Sequence, residues 1–252
     1  LNRNCWIWWA TRWMYSALPL IGFQPDIIHC HDWQTGLIPV YLKERFRGNS
    51  FFWNVKSVMT IHNLKFQGKW DVKAVQNITG LPDYYFTPDK LECYKDANLL
   101  KGGLVFADAI TTVSQTYAEE IKTDFYGEGL NGLMNARAHD LRGIVNGIDY
   151  DEFNPATDAY IPFKYDPVTF RKEKVKNKRD LQKELNLAQD DRKFMIGIVS
   201  RLTDQKGLDL IAYVMVRFAP VTVMSHTVVR ITSLAILSEI FLGKQAYHIP
   251  RL

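Results

Sequence analysis

Residues 25–46, "PDIIHCHDWQTGLIPVYLKERF", predict a β-strand that leads directly into a helix. The short apolar run in residues 25–30 is typical of a buried strand. In residues 35–46 the apolar side chains recur at helical spacing, which indicates an amphipathic helix. A strand followed at once by a helix is the unit from which parallel α/β sheets are built.

The same alternation continues along the chain. Three further strands are predicted at "KSVMTIHN" (56–63), "AITTVS" (109–114) and "LRGIVNGID" (141–149). Helices are predicted at "KDANLLKGGLVFA" (95–107), interrupted by Gly102 and Gly103, and at "QTYAEEIKTDF" (115–125), with Ser114 as its N-terminal cap. This β-α-β alternation predicts a mainly parallel, doubly wound α/β sheet, with its ligand crevice at the carboxyl ends of the strands.

A second α/β domain is predicted to begin near residue 193. Residues 151–170 contain three prolines, which break any regular period and indicate a connector. A charged helix with leucines on one face follows, and its basic excess is typical of a solvated helix face. Residues 193–215, "KFMIGIVSRLTDQKGLDLIAYVM", then predict a buried strand, a polar turn and a new helix.

The composition argues against several classes of protein. The 31 basic and 27 acidic residues are spread along the chain without a basic tract, so no nucleic acid is expected as a partner. The longest apolar stretches are interrupted by Pro19 or Glu239 and are shorter than the roughly 20 residues of a spanning helix, so no membrane is expected either. The three cysteines are odd in number and widely spaced, which indicates a reducing compartment and predicts a cytoplasmic protein.

Histidines near the end of the first strand form a candidate site. Because side chains alternate along a strand, His29 and His31 are expected on one face and Cys30 on the other. Two imidazoles suit zinc, but a closed site needs further ligands, of which His62 at the end of the next strand is the nearest candidate. The alternatives are a structural role for His29 and a crevice into which two adjacent strand tips present histidines. We favour the crevice and predict no metal.

Two other clusters contain residues that suit a polar ligand. Arg201 and Lys206 lie between a predicted strand and a helix, where helix amides and the helix dipole favour a phosphate or diphosphate. Simple solvation of an exposed turn is the alternative for this pair. Asn146 and Gly147 follow another strand, where they either shape a turn or contact a ligand.

Seven ordered segments resemble those of bacterial glycogen synthases and plant starch synthases, and they cover about residues 21–215. They are "PDIIHCHDWQTGLIPVYL", "TIHNLKFQG", "LLKGGLVFADAITTVSQTYAEEI", "YGEGLNGLM", "IVNGID", "NKRDLQKELNL" and "VSRLTDQKGLDLI". The resemblance implies the GT-B architecture, with two Rossmann-like parallel sheets and the active site between two domains. It also implies a retaining glycosyltransferase that moves glucose from ADP-glucose to the non-reducing 4-hydroxyl of an α-1,4-glucan without a metal or cofactor.

The resemblance further implies roles for single residues. Arg201 and Lys206 match the family's diphosphate-binding pair. His31, in the "HDW" motif, matches the histidine beside the donor glucose, so these three residues are the expected catalytic groups. The expected substrate-binding residues are Asp32, Asn63, Gln67, Gly68 and Asn146.

The resemblance also divides the chain into five segments, and the fold is expected to be incomplete at both ends. The segments are residues 1–20, atypical and unrelated to the family; 21–155, the C-terminal part of the first Rossmann-like domain; 156–192, a connector and charged helix; 193–215, the first β-α unit of the second Rossmann-like domain; and 216–252, an atypical tail.

Two family motifs are not found where the resemblance places them. The K-x-G-G-L segment belongs upstream of residue 25, and the string from Lys101 to Leu104 is not its equivalent because it lies within a later family segment. The E-P-C-G-L segment, which supplies a glutamate to the catalytic site, is not found after residue 215. We therefore expect a truncated, frame-shifted or wrongly assembled chain with little or no transfer activity. The alternative is a non-catalytic protein that binds a glucan or a nucleotide.

Overall fold

The structure, a computed structural model, describes residues 15–192, 195–200, 203–218 and 227–230. The chain divides into two compact units, Leu1–Gly147 and Ile148–Leu252. This division falls somewhat before residue 155, where the sequence predicts the end of the first domain.

A parallel sheet forms the centre of the first unit. The strands of this unit are β1 (Ile27–His31), β2 (Lys56–Ile61), β3 (Lys69–Asp71), β4 (Glu92–Cys93), β5 (Asp96–Asn98), β6 (Ala109–Thr112) and β7 (Leu141–Gly143). Four of them pair in parallel in the order β1-β2-β6-β7. Each of these four overlaps a strand predicted from the sequence, so the predicted parallel α/β sheet is confirmed.

Helices connect the strands of the first unit. They are α1 (residues 15–20), α2 (Leu37–Glu44), α3 (Val72–Thr79), α4 (Leu99–Phe106), α5 (Gln115–Glu120) and α6 (Asn131–Ala136). The predicted cap of α5 is confirmed, because the Ser114 hydroxyl accepts a hydrogen bond from the backbone N–H of Tyr117 at 3.3 Å. Asn98 caps α4 in the same way, and its side chain accepts from the N–H of Lys101 at 2.9 Å.

Helix α4 is continuous, so the interruption predicted at Gly102 and Gly103 is wrong. A Cβ atom on Gly103 would lie 3.0 Å from the Cα of Gly36, and a Cβ atom on Gly36 would lie 2.0 Å from the carbonyl oxygen of Leu99. Small residues at this contact let α4 approach the N-terminus of α2 more closely than any side chain would allow. The K-G-G-L string is thus part of a packed, buried helix.

Strands β3, β5 and β4 form a small antiparallel sheet that no sequence pattern predicts. Residues 95–98 are predicted to begin a helix, and this prediction is wrong, because they form a hairpin turn and strand β5. The turn residues Tyr94 and Lys95 have φ angles of 55° and 73°. Turns of this kind usually contain Asn or Gly, so the hairpin has no compositional signal.

The two faces of the parallel sheet differ in burial. In β1, Ile28 and Cys30 are buried, whereas Ile27, His29 and His31 are exposed. The burial predicted for the first strand holds for one of its faces, and the expected alternation of His29, Cys30 and His31 is confirmed. The buried face belongs to one hydrophobic cluster that includes Met59, Ile61, Ile110, Leu37, Val40, Leu100 and Leu104.

The described part of the second unit contains a charged helix and a β-α-β unit. Its elements are α7 (Phe170–Glu184), β8 (Ile196–Val199), α8 (Leu208–Phe218) and β9 (Thr227–Arg230). β8 and β9 pair in parallel, and α8 lies between them in the sequence. The predicted charged helix and the predicted order of strand, turn and helix are both present, and β9 lies within the segment 216–252.

Candidate active site

The carboxyl ends of β1 and β2 bring two histidines together. The strands pair in parallel with His31 opposite Thr60, so that His62, two residues farther along, comes beside His31. The Nδ1 atom of His31 lies 3.0 Å from the Nε2 atom of His62, which is hydrogen-bond distance. When both rings are neutral, one donates its N–H to the lone pair of the other. The structure thus places two adjacent strand tips, each with a histidine, side by side as expected from the sequence.

His29 extends this cluster along the exposed face of β1. Its ring centroid lies 4.3 Å from that of His31. Its Nε2 atom lies 2.6 Å from Thr60 Oγ1, which in turn lies 2.6 Å from Thr111 Oγ1. His29 is therefore part of a polar row that crosses β1, β2 and β6, and this row supports the structural role considered from the sequence.

Asp32 holds the two strand tips in place. Its Oδ1 atom accepts a hydrogen bond from the backbone N–H of His62 at 2.8 Å. The backbone of Asp32 has a φ of 53°, a conformation that non-glycine residues adopt at a cost of about 1–3 kcal/mol. Next to it, Thr35 Oγ1 accepts from the N–H of His31 at 2.7 Å and donates to the carbonyl oxygen of His31 at 2.8 Å. These contacts fix the backbone of both histidines.

The surroundings of His31 favour the neutral form of its imidazole. Partial burial lowers the pKa of His31 below its ordinary value of 6.5, and the neighbouring His29 and His62 rings lower this pKa further. The Asp32 carboxylate acts in the opposite direction but does not compensate. The lowered pKa of His31 favours its neutral ring, which offers one donor and one acceptor.

Replacing His62 with alanine is expected to raise the pKa of His31 towards its ordinary value. The variant removes a ring whose positive form repels protonated His31, and it also lets water closer to the His31 ring. A titration of the imidazole nitrogens followed by NMR measures this pKa. His139→Ala is the matched control, because His139 is an exposed histidine outside this cluster. An unchanged or lower His31 pKa in His62→Ala would show that the described coupling does not exist.

Gln67 is buried beneath the loop that follows β2. Its side-chain nitrogen donates to the carbonyl oxygens of Leu64 at 3.1 Å and Glu128 at 2.9 Å. Its side-chain oxygen accepts from the amide of Asn98 at 2.7 Å. The amide of Gln67 is thus used within the protein, where it links its own loop to residue 128 and to the cap of α4. In this structure Gln67 positions the loop.

Asn63 and Gly68 shape the two ends of the same loop. The side chain of Asn63 accepts a hydrogen bond from the N–H of Lys65 at 3.1 Å, which forms an Asx turn. Gly68 has a φ of 63°, and a Cβ atom there would lie 2.7 Å from the ring of Trp33. Trp33 directly follows Asp32, so the loop packs against the turn that carries the site. The structure thus brings Asn63, Gln67 and Gly68 to the segment beside His31.

Tyr117 supports this loop and was not identified from the sequence. Its hydroxyl oxygen accepts a hydrogen bond from the backbone N–H of Leu64 at 3.1 Å. Burial raises the pKa of Tyr117, the Leu64 bond lowers it, and the charges of Glu128 and Asp32 raise it further. A tyrosine within the helix "QTYAEE" gives no sign of such a partner, since the contact depends on the packing of α5 against another loop.

The remaining predicted site residues lie in three places. Asn146 is exposed and follows β7, at the same carboxyl edge of the sheet. Lys206 belongs to the second unit, where it is exposed and ends a short 3₁₀ turn directly before α8. Arg201 lies outside the described residues.

Within the described ranges, no group of three or more His, Cys, Asp or Glu side chains is arranged to hold a metal ion. In the same part of the chain, no helix combines the length and the apolar character that a membrane crossing requires.

Comparison with known proteins identifies the family. The sequence model of the family described as "Starch synthase catalytic domain" matches residues 8–136, about half of the chain. The chain belongs to the glycogen and starch synthase family. The family match begins upstream of residue 21, so part of the segment 1–20, expected to be unrelated to the family, falls inside it.

Individual members of the synthase family agree with this assignment. A glycogen synthase of Lachnospira eligens is 73% identical over 200 residues, which cover 79% of this chain and 42% of that protein. A glycogen synthase of Lachnoclostridium phytofermentans is 65% identical over 205 residues, with coverages of 81% and 43%. The chain therefore spans less than half the length of these curated relatives.

A solved synthase structure has the same fold. The catalytic domain of Starch Synthase IV from Arabidopsis thaliana, bound to ADP and acarbose, matches with a TM-score of 0.81 and 30% identity. The match covers 92% of this chain and 47% of that one. The α/β fold of the GT-B type expected from the sequence is confirmed.

Proposed function

We propose that the chain carries part of the active site of a glycogen synthase, which transfers glucose from ADP-glucose to the non-reducing 4-hydroxyl of an α-1,4-glucan with retention. The observation that carries the proposal is the 73% identity over 200 residues to a glycogen synthase, and the contacts of His31 with His62 and of Asp32 with the backbone of His62 support it. The related starch synthase bound to ADP and acarbose supports a nucleotide and a glucan as ligands.

A neutral His31 suits this chemistry. Departure of ADP builds positive charge at the anomeric carbon, and a charged imidazolium next to that carbon would repel it. The lowered pKa of His31 favours the neutral ring, and a neutral ring offers hydrogen bonds to a sugar hydroxyl without adding charge. Its contact with His62 orients the ring, and Thr35 holds the backbone of His31. We assign His31 the task of orienting the donor glucose for attack.

The diphosphate leaving group needs cations more than it needs a proton. Lys206 precedes α8, where the positive end of the helix dipole also favours an anion. We assign Lys206 and Arg201 to the diphosphate of ADP-glucose, as the family resemblance implies. Asn146, exposed after β7, is assigned to the substrate cleft together with Asp32, Asn63 and Gly68. Gln67 is assigned to the same cleft through its loop, which its buried amide positions.

Replacing Lys206 with alanine is expected to weaken ADP binding by about tenfold or more, because a charge-assisted hydrogen bond contributes roughly 1.5–3 kcal/mol. Isothermal titration calorimetry with ADP measures the affinity. Lys183→Ala is the matched control, since Lys183 is an exposed lysine of the same unit at the end of α7. Equal ADP affinity of wild type and Lys206→Ala would remove Lys206 from the diphosphate site.

A second candidate function is glucan or nucleotide binding without turnover. It is favoured by the span of the chain, which covers 42% of the Lachnospira eligens synthase. Because of this span we expect transfer by the chain alone to be slow.

Cys30 and Cys93 are both free and buried, which supports our proposal of a reducing, cytoplasmic setting.

One experiment distinguishes the two candidate functions. Wild-type protein is incubated with radiolabelled ADP-glucose and maltoheptaose, and its melting temperature is measured with each ligand. Label in the glucan supports the synthase. A ligand-dependent rise in melting temperature without label supports the binding protein.

A further inference from the structure

The rings of His31 and His62 meet head-on. Their facing nitrogens lie 3.0 Å apart and their centroids lie 5.2 Å apart, and the second distance exceeds the first by about two ring radii. Each facing nitrogen therefore lies almost on the line between the two rings, which is the geometry of a well-aligned hydrogen bond. A zinc ion on that line would need about 4 Å between the nitrogens, because each Zn–N bond is about 2.0 Å long. The space between the rings thus fits one proton.

The backbones of both histidines and the ring of His31 are held in place. Asp32 Oδ1 accepts from the backbone N–H of His62 at 2.8 Å, and Thr35 Oγ1 bonds to the backbone of His31. The His29 ring lies against the His31 ring, with centroids 4.3 Å apart, and hinders a flip that would take Nδ1 of His31 away from His62. The two facing nitrogens therefore stay opposite each other, and the pair can differ only in which ring donates the proton.

The proton between the rings determines what His31 offers to a ligand. In a neutral imidazole one nitrogen carries the proton and the other a lone pair, and the bond made by one nitrogen fixes the state of the other. Among the residues that the structure describes, every hydrogen bond of these two rings runs through the facing nitrogens, so Nε2 of His31 remains for the substrate. If His62 donates, Nε2 of His31 carries an N–H. If His31 donates, Nε2 carries a lone pair.

The intrinsic preference of the imidazole ring favours His62 as the donor. A neutral histidine side chain in water prefers the tautomer that is protonated on Nε2. Donation from Nε2 of His62 to Nδ1 of His31 leaves both rings in this preferred form. Donation in the other direction would require the less favoured tautomer in both rings at once.

We propose that His62 is a positioning residue that donates its Nε2–H to Nδ1 of His31, so that His31 presents an Nε2–H donor to a hydroxyl oxygen of the donor sugar. The proposal rests on the proposed function, in which His31 orients the donor glucose. His62 acts through His31, by the tautomer that it fixes.

The first part of the test measures the tautomer of His31 by NMR of the imidazole nitrogens at about pH 9, well above the ordinary pKa of histidine. In the wild-type protein we expect the proton of His31 on Nε2 and a lone pair on Nδ1. His62→Gln keeps an N–H donor near the place of Nε2 and is expected to keep this tautomer. His62→Glu can only accept, so the proton of His31 is expected to move to Nδ1.

The second part measures transfer of labelled glucose from ADP-glucose to maltoheptaose by the same proteins at the same pH. In His62→Glu we expect kcat to fall about tenfold, because the loss of one hydrogen bond to the sugar costs that order of rate. In His62→Gln we expect a fall of less than about threefold. His139→Glu is the matched control, since it places the same charge at an exposed histidine outside the pair, and it is expected to keep the wild-type rate. Melting temperatures check that each variant is folded.

The spectra and the rates separate this inference from the proposed function. A wild-type spectrum with the proton of His31 on Nδ1 overturns the inference, whatever the transfer rates are. The expected spectra together with equal transfer by wild type and His62→Glu overturn it as well and leave the proposed function standing. Absence of transfer in every protein contradicts the proposed function, while the spectra still decide whether His62 fixes the tautomer of His31.

Discussion

Replacing Gly36 with alanine is expected to lower the free energy of unfolding of the first unit by more than about 4 kcal/mol. The added methyl group would lie 2.0 Å from the carbonyl oxygen and 2.6 Å from the carbonyl carbon of Leu99. Those atoms belong to the backbone at the start of α4, so rotation of a side chain cannot relieve the clash. Domains are stable by only about 5–15 kcal/mol, and much of this variant would be unfolded at 37 °C.

The contact, and not the backbone conformation, makes Gly36 necessary. Its φ of −60° is one that alanine adopts without strain. Gly48→Ala is the matched control, because a Cβ atom there would meet nothing within 4 Å, and it is expected to change stability by less than about 0.5 kcal/mol. Urea unfolding followed by circular dichroism measures all three proteins. A Gly36→Ala protein within about 1 kcal/mol of wild type would contradict the close approach of α2 and α4.

Replacing His31 with alanine is expected to slow glucosyl transfer by about 100-fold or more, the usual loss when one oriented polar group is removed from a reacting centre. The ring of His31 is oriented by His62 at 3.0 Å, and its backbone N–H donates to Thr35 Oγ1 at 2.7 Å. Removal of the ring leaves no side chain in that position. ADP affinity is expected to change by less than about twofold, since the diphosphate contacts are assigned to Arg201 and Lys206.

The assay measures labelled glucose transferred from ADP-glucose to maltoheptaose during long incubations, so that a slow wild-type rate remains measurable. His139→Ala serves as the control for a general effect of removing an exposed histidine. Melting temperatures check that each variant is folded. Transfer by His31→Ala at the wild-type rate would exclude His31 from the reacting centre.

Periodicity predicts the parallel sheet because each of its strands has a short apolar run of its own. β1, β2, β6 and β7 all overlap predicted strands, and the Ser114 cap of α5 follows from local chemistry. The pairing of His31 with His62 also follows from the sequence, since neighbouring parallel strands end at one edge. Such features depend only on nearby residues or on the general geometry of a sheet.

Other features depend on tertiary contacts, and no sequence pattern contains them. Gly102 and Gly103 are helix breakers by propensity, yet α4 continues through them because its packing requires small residues. The Tyr94 turn lacks the usual Asn or Gly, so β4 and β5 are missed. The role of Gln67 is set by Glu128 and Asn98, which are distant in the chain.

The most direct test of the proposed function is incorporation of radiolabelled glucose from ADP-glucose into maltoheptaose by the wild-type chain, with UDP-glucose run in parallel. We expect slow incorporation from ADP-glucose, lost in His31→Ala. Absence of incorporation together with absence of any binding of ADP or maltoheptaose would contradict the assignment of the His31 crevice to glucan synthesis.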